Sequence, residues 1–130
     1  MLNNKYIAFL KVYAPAILWG MFILVATLTP GKSLPSSSLF RFDKIIHIII
    51  FGTFAWLVLR ASFLSNKKNS TNATTYVIVG VCTIVFGILI EFIQQFIPDR
   101  GCDIYDVIAN TLGIVLAQVL FYFIHRGRAV

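Results

Sequence analysis

Charged residues are scarce in this chain: they make up 12% of its 130 residues, whereas hydrophobic residues make up 58%. A soluble domain needs far more polar side chains to cover its surface. The scarcity excludes an ordinary soluble fold and makes lipid the simplest solvent. The formal net charge of +6 does not come from a basic patch with interleaved aromatic residues, so we predict no nucleic-acid partner.

Cysteine is rare as well, with two residues in the whole chain. Cys82 lies within an apolar run and Cys102 in a connecting loop, and neither belongs to a CxxC motif. Their depths in a membrane should differ by roughly 20–30 Å, at about 1.5 Å per helical residue. The sequence therefore predicts no intramolecular disulfide and no cysteine-based zinc or redox site.

Four long apolar runs fill most of the chain, and each is long enough to cross a bilayer, which takes roughly 20 residues. Polar connectors rich in Pro, Gly, Ser, Asn or Lys separate them. We predict one all-α domain over 1–130, a polytopic membrane protein built as a four-transmembrane-helix bundle. The predicted spans are 7–28, 44–64, 76–97 and 104–124.

The first run could also be read as a signal peptide, because Lys5 precedes an apolar stretch. The run is too long for the apolar region of such a peptide, and no small-x-small cleavage site follows Val25. We interpret it as an uncleaved span, which Pro15 is expected to kink.

Basic residues are distributed unequally between the two ends of the predicted spans. Seven fall on the side of the termini and four on the opposite side, together with all five acidic residues. Because Lys and Arg concentrate on the cytoplasmic side of membrane proteins, we expect both termini in the cytoplasm and the chain in the bacterial inner (cytoplasmic) membrane. The seven are Lys5, Lys11, Arg60, Lys67, Lys68, Arg126 and Arg128; the four are Lys32, Arg41, Lys44 and Arg100.

Ionisable and amide residues within spans are costly, and here they gather near the predicted outer ends of three spans. At about 1.5 Å per residue, they fall in one shallow layer. Asp103 also suits an N-cap, and Asp106 the first turn of a helix. The layer contains Asp43, Lys44 and His47 on the second span, Glu91, Gln94 and Gln95 on the third, and Asp103, Asp106 and Asn110 on the fourth.

Two interpretations of this layer remain open. Polar side chains can simply fasten membrane helices together, usually for about 0.6 kcal/mol each. Ionisable groups on three helices exceed what fastening needs, and we favour a functional site with His47, Glu91 and Asp106 as candidate acid–base residues. These three would also be acceptable metal ligands, but the sequence has no short-spaced pair such as HxxxH, so we predict no metal and no cofactor.

These residues, in this order, resemble the motifs of the VanZ-like family of small membrane proteins. That family's founding member is linked to low-level resistance to the glycopeptide antibiotic teicoplanin, which implies a role at the cell envelope. The motifs are Asp43-Lys44-x-x-His47-x-x-x-Phe51, Glu91-x-x-Gln94 and Arg100-x5-Asp106-Val107-x-x-Asn110-Thr111-x-Gly113.

We therefore expect an outward-facing polar pocket that binds or modifies an envelope lipid or a lipid-linked cell-wall precursor. In it Lys44 and Arg100 would attract phosphate, while Asp43, Gln94 and Asn110 would bind or orient other groups. The alternatives are a structural protein that docks onto an envelope enzyme, and a transporter or flippase. The last would need a homodimer, which the small-residue stripe Ala109, Gly113 and Ala117 could support.

Overall fold

The computed structural model describes residues 2–30, 42–67 and 70–126 and contains four helices, with no strand in those ranges. All four are long and apolar enough to cross a membrane, which confirms the predicted all-α, four-helix architecture. The basic residues Lys32, Arg41, Lys68 and Arg128 and the loop 36–38 lie outside the described residues. The helices are α1 (Leu2–Leu28), α2 (Asp43–Ser65), α3 (Ala73–Gln94) and α4 (Ile104–His125).

Two helices, α1 and α3, have boundaries that differ from the predicted spans. Helix α1 begins at Leu2, since a helix can extend beyond the bilayer as long as its backbone hydrogen bonds continue. Helix α3 begins after Asn72, whose side chain accepts a hydrogen bond from the Thr75 amide, and ends at Gln94. Its end precedes Pro98 because proline would crowd the carbonyl four residues earlier; the Gln94 carbonyl instead accepts from the Ile97 amide.

Helices α2 and α4 form the most extensive pair in the bundle, and glycine makes their close approach possible. A Cβ atom on Gly113 would collide with the carbonyl oxygen of Ile48, and one on Gly52 would lie 3.0 Å from the carbonyl oxygen of Gly113. Ala109 and Ala117, which flank Gly113 on the same stripe, are buried. At Gly113 the stripe therefore packs against α2 of the same chain.

The core is apolar and lies where α2 meets the other helices, and the outward sides of the helices are apolar too. Phe51, Ala55 and Ile114 are buried in one part of this core, and Leu59 in another. Large hydrophobic side chains such as Leu18 remain exposed along every helix. Such surfaces are stable against lipid rather than water, so the chain is a multi-pass membrane protein.

Candidate functional site

The first turns of α2 and α4 lie side by side and bring their polar residues together with the last turns of α3. Asp103 caps α4, as predicted: its Oδ1 accepts a hydrogen bond from the Tyr105 amide at 2.9 Å. We call the resulting group the polar cluster. It consists of Asp43, Lys44, His47, Glu91, Asp103, Asp106 and Asn110.

Lys44 forms the most exposed part of the polar cluster. Its Nζ donates to Asp103 Oδ2 at 2.7 Å and to Asp106 Oδ1, and it lies 3.5 Å from Asp43 Oδ2. The hydrogen bond from the Lys44 ammonium lowers the pKa of Asp103 below its ordinary value, and the Tyr105 amide adds to this effect. Three carboxylates thus share one ammonium group.

His47 lies deeper and connects the exposed carboxylates to the buried ones. Its Nε2 is 3.8 Å from Asp43 Oδ1 and 3.8 Å from Asp106 Oδ2. Its Nδ1 is 2.9 Å from Asn110 Oδ1 and 3.7 Å from Glu91 Oε1. An amide oxygen only accepts hydrogen bonds, so this contact places the proton of a neutral imidazole on Nδ1.

Glu91 and Asn110 form the buried end of the polar cluster. Glu91 is 1% exposed and Asn110 2% exposed. The Asn110 Nδ2 amide donates to Glu91 Oε1 at 3.5 Å, a long hydrogen bond. Glu91 Oε2 is buried and has no hydrogen-bond partner among the described residues, which is costly for a carboxylate oxygen.

Two further predicted site residues take other positions. Gln94, one turn beyond Glu91 on α3, is buried. Arg100 binds the end of α1: its Nε donates to the Thr29 carbonyl at 3.2 Å and its Nη2 to the Ala26 carbonyl at 3.0 Å. The guanidinium thus satisfies carbonyls that the helix end leaves without partners, and these bonds do not join it to the polar cluster.

The charge balance of the polar cluster also differs from the expected phosphate site. Four carboxylates surround a single ammonium and one imidazole. The charge of Lys44 is balanced by its ion pairs with Asp103 and Asp106, and the Arg100 guanidinium is hydrogen-bonded to a carbonyl group near the end of α1. As it stands, the cluster offers mostly acceptor atoms to a ligand, which suits a hydrogen-bond donor or a cation.

The structure brings together most of the residues that the sequence singled out, namely Asp43, Lys44, His47, Glu91, Asp106 and Asn110. Sequence reasoning placed Asp103 in the polar layer and interpreted it most simply as an N-cap, and it did not foresee the ion pair of Asp103 with Lys44. A signal for that pair was available, because Asp103 and Asp106 are three residues apart and therefore project from neighbouring positions of one helix end. The α1-capping role of Arg100 had no such signal.

Comparisons with known proteins gave one family match and one curated relative. The sequence model described as VanZ/LLP1 matches residues 6–125. The chain is also 33% identical over 86 residues to a protein of Schizosaccharomyces pombe (strain 972) called "Uncharacterized protein C11E3.10", covering 66% of this chain and 50% of that protein. The chain thus spans about half the length of this relative. No solved structure matches the chain.

Proposed function

Because this chain belongs to the VanZ/LLP1 family, we propose that its polar cluster binds the polar part of an envelope lipid or of a lipid-linked cell-wall precursor. In this proposal His47 and Glu91 bind the ligand and can exchange a proton with it. The membrane-spanning helices hold the cluster at the depth where lipid head groups meet the hydrocarbon region.

The observation that carries the proposal is that one oxygen of the buried Glu91 carboxylate has no hydrogen-bond partner among the described residues. A network that only fastens helices satisfies its buried polar atoms. Glu91 is almost fully buried, yet its Oε2 has no hydrogen-bond partner among the described residues. A carboxylate left in this state, next to an imidazole, is typical of a site that completes its hydrogen bonds with a ligand.

The surroundings of the polar cluster favour a lipid as that ligand. Exposure falls along the cluster from about two-fifths for the side chains of Asp43 and Lys44 to 10% for Asp106 and 1% for Glu91. The same helix ends carry exposed apolar residues, including Ile45 and Ile104. A molecule with a polar head and apolar chains could place its head in the cluster while its chains stay in the bilayer.

Native mass spectrometry after gentle detergent extraction tests the proposal. The wild-type protein is compared with Glu91→Gln and His47→Ala, and with Gln95→Ala as a control, since Gln95 is exposed. We expect the same lipid species to remain on the wild-type protein and on the control, and to be lost from the other two variants. Equal lipid retention by all four proteins, or by none, would contradict the proposal.

The second interpretation is a structural protein whose polar cluster only packs the helices. Its specific support is the number of direct contacts between α2 and α4 in the cluster, such as Lys44 with Asp106. In that case Glu91→Gln and His47→Ala should lower the unfolding temperature in detergent without changing lipid retention, and crosslinking in cells should trap a protein partner.

A further inference from the structure

Three side-chain atoms lie close together, two of them from α2 (one of these from His47) and one from α4. Nε2 of His47, Oδ1 of Asp43 and Oδ2 of Asp106 lie within 4.8 Å of one another, and each carboxylate oxygen is 3.8 Å from Nε2. Asp43 and His47 are four residues apart on α2, so the first turn of that helix places them on one face. Asp106 completes the group from the first turn of α4.

Neighbouring donors and acceptors contact the other polar atoms of these three side chains, and not the three atoms that face one another. Asp43 and Asp106 each turn their other oxygen toward the Lys44 ammonium. Nδ1 of His47 carries the imidazole proton, because it is bonded to Asn110 Oδ1. The orientation of that amide follows from its Nδ2, which donates to the Glu91 carboxylate. When the imidazole is in this tautomer, Nε2 presents a lone pair on the side of the two carboxylate oxygens.

The balance of charge calls for an additional cation at this position. Asp43, Asp103 and Asp106 share a single ammonium, that of Lys44, and Glu91 lies against His47 instead. Glu91 adds a fourth carboxylate on the other side of the same imidazole: it is 1% exposed, its Oε1 lies 3.7 Å from Nδ1, and its Oε2 has no hydrogen-bond partner among the described residues. Asp106 and Glu91 are the buried carboxylates of this group, and a buried negative charge is stable only when a positive charge is close.

We propose that Asp43, His47 and Asp106 bind a divalent transition-metal cation. One imidazole nitrogen and two carboxylate oxygens form a donor set that suits Zn²⁺ or Mn²⁺ better than a purely oxygen-binding cation. In a tetrahedral site with bonds of about 2.0–2.1 Å, the ligand atoms are about 3.4 Å apart. The two 3.8 Å separations from Nε2 need a small contraction, and the two carboxylate oxygens, which lie within 4.8 Å of each other, would also have to reach the separation of about 3.4 Å.

The second layer around the proposed metal also fits. A histidine ligand usually donates its other ring nitrogen to a carbonyl or carboxylate oxygen, which fixes the ring, and Asn110 provides that contact to His47. Three protein ligands leave a fourth position open to water or to an oxygen of a bound molecule. A metal there would give the acidic cluster an attraction for phosphate that Lys44 and Arg100, as they are paired, do not provide.

Zinc titration of the purified protein tests this proposal without reference to lipid binding. The protein in detergent is stripped with EDTA, returned to neutral buffer and titrated with Zn²⁺, with Mg²⁺ as the comparison ion, by isothermal calorimetry and by thermal unfolding. We expect one zinc ion per chain and a raised unfolding temperature for the wild-type protein. Zinc affinity should fall by at least about 10–100-fold in His47→Ala, Asp43→Asn and Asp106→Asn.

The control is His125→Gln, which changes the other histidine at the far end of α4, where its Nδ1 lies 3.0 Å from the Phe121 carbonyl oxygen. It should bind zinc like the wild-type protein. Asp43→Asn keeps the test valid if the more buried variants do not fold, since the Asp43 side chain is 41% exposed. Zinc binding that is absent from the wild-type protein, or unchanged in Asp43→Asn and His47→Ala, would overturn the metal site. Lipid retention in the mass spectrometry experiment would not be decided by that result.

Discussion

Nδ1 of His47 lies 2.9 Å from Oδ1 of Asn110, although the two residues are 63 positions apart in the chain. The same amide donates to Glu91. Asn110 thus links the imidazole to the most buried carboxylate and determines which imidazole nitrogen faces Asp43 and Asp106.

Replacement of Asn110 by alanine should therefore destabilise the bundle. It would leave buried groups of His47 and Glu91 without partners, at a cost of about 1–3 kcal/mol in the free energy of unfolding. Unfolding in a denaturing detergent measures the change. Gln95→Ala, which removes an exposed amide, should have little effect, and equal stability of the two variants would argue against the linking role of Asn110.

The close contact between α2 and α4 predicts that Gly113→Ala will be strongly destabilising. The added methyl group would collide with the Ile48 carbonyl oxygen, and backbone cannot move as easily as a side chain. Overpacking of this kind costs typically about 1–3 kcal/mol. Gly101→Ala is the matched control, because a Cβ atom there meets nothing within 4 Å; thermal unfolding should separate the two variants clearly.

Arg100 should stabilise the end of α1 rather than the polar cluster. Arg100→Ala removes charge-assisted hydrogen bonds to Thr29 and Ala26, and such bonds are worth about 1.5–3 kcal/mol. We expect faster amide hydrogen exchange in the last turn of α1, with lipid retention unchanged. Arg60→Ala, at an exposed position of α2, should leave exchange in that turn unaltered. Loss of lipid without faster exchange would show that Arg100 acts in the cluster after all.

The ion pair between Lys44 and Asp103 predicts how stability depends on pH. Because the folded protein lowers the pKa of Asp103 below 3.8, the contribution of this carboxylate is complete above that value. It is lost as the pH falls through the lower, folded-state pKa. Asp103→Asn keeps an N-cap, since Asn caps as well as Asp, but removes the charge.

The difference in unfolding temperature between the wild-type protein and Asp103→Asn should therefore be constant at neutral pH. It should shrink below a pH of about 4. A difference that persists unchanged at lower pH would mean that Lys44 does not favour the ionised form of Asp103.

The expected orientation can be tested with the two native cysteines. Cys102 is exposed and lies in the connection before α4, at the end of the bundle that carries the polar cluster. With both termini in the cytoplasm, a membrane-impermeant maleimide added to intact cells should label Cys102 in a Cys82→Ser protein. The reverse orientation predicts labelling only after the membrane is permeabilised. A Cys102→Ser protein, in which Cys82 lies in the apolar run of α3, should stay unlabelled in both cases.

The sequence by itself determined the number and nature of the helices. Twenty-residue apolar runs must satisfy their backbone hydrogen bonds internally once they are in lipid, and a helix is the way to do so. It also determined that ionisable residues lie near the same end of three spans, since depth along a helix follows directly from residue number. The N-cap at Asp103 was equally local, because a cap depends on neighbouring residues.

Only the tertiary structure decided which polar groups meet. The helices are apolar on nearly every side, so no contrast between faces reveals how each is rotated about its axis. That rotation is set by packing, above all at Gly113, which has no side chain and so leaves room for the Ile48 carbonyl oxygen of α2. It directs Lys44 to Asp103 and Asp106, and turns the Nε2 atom of His47 toward two carboxylates. Arg100 reaches α1 for the same reason: contacts between distant segments depend on how the whole bundle packs.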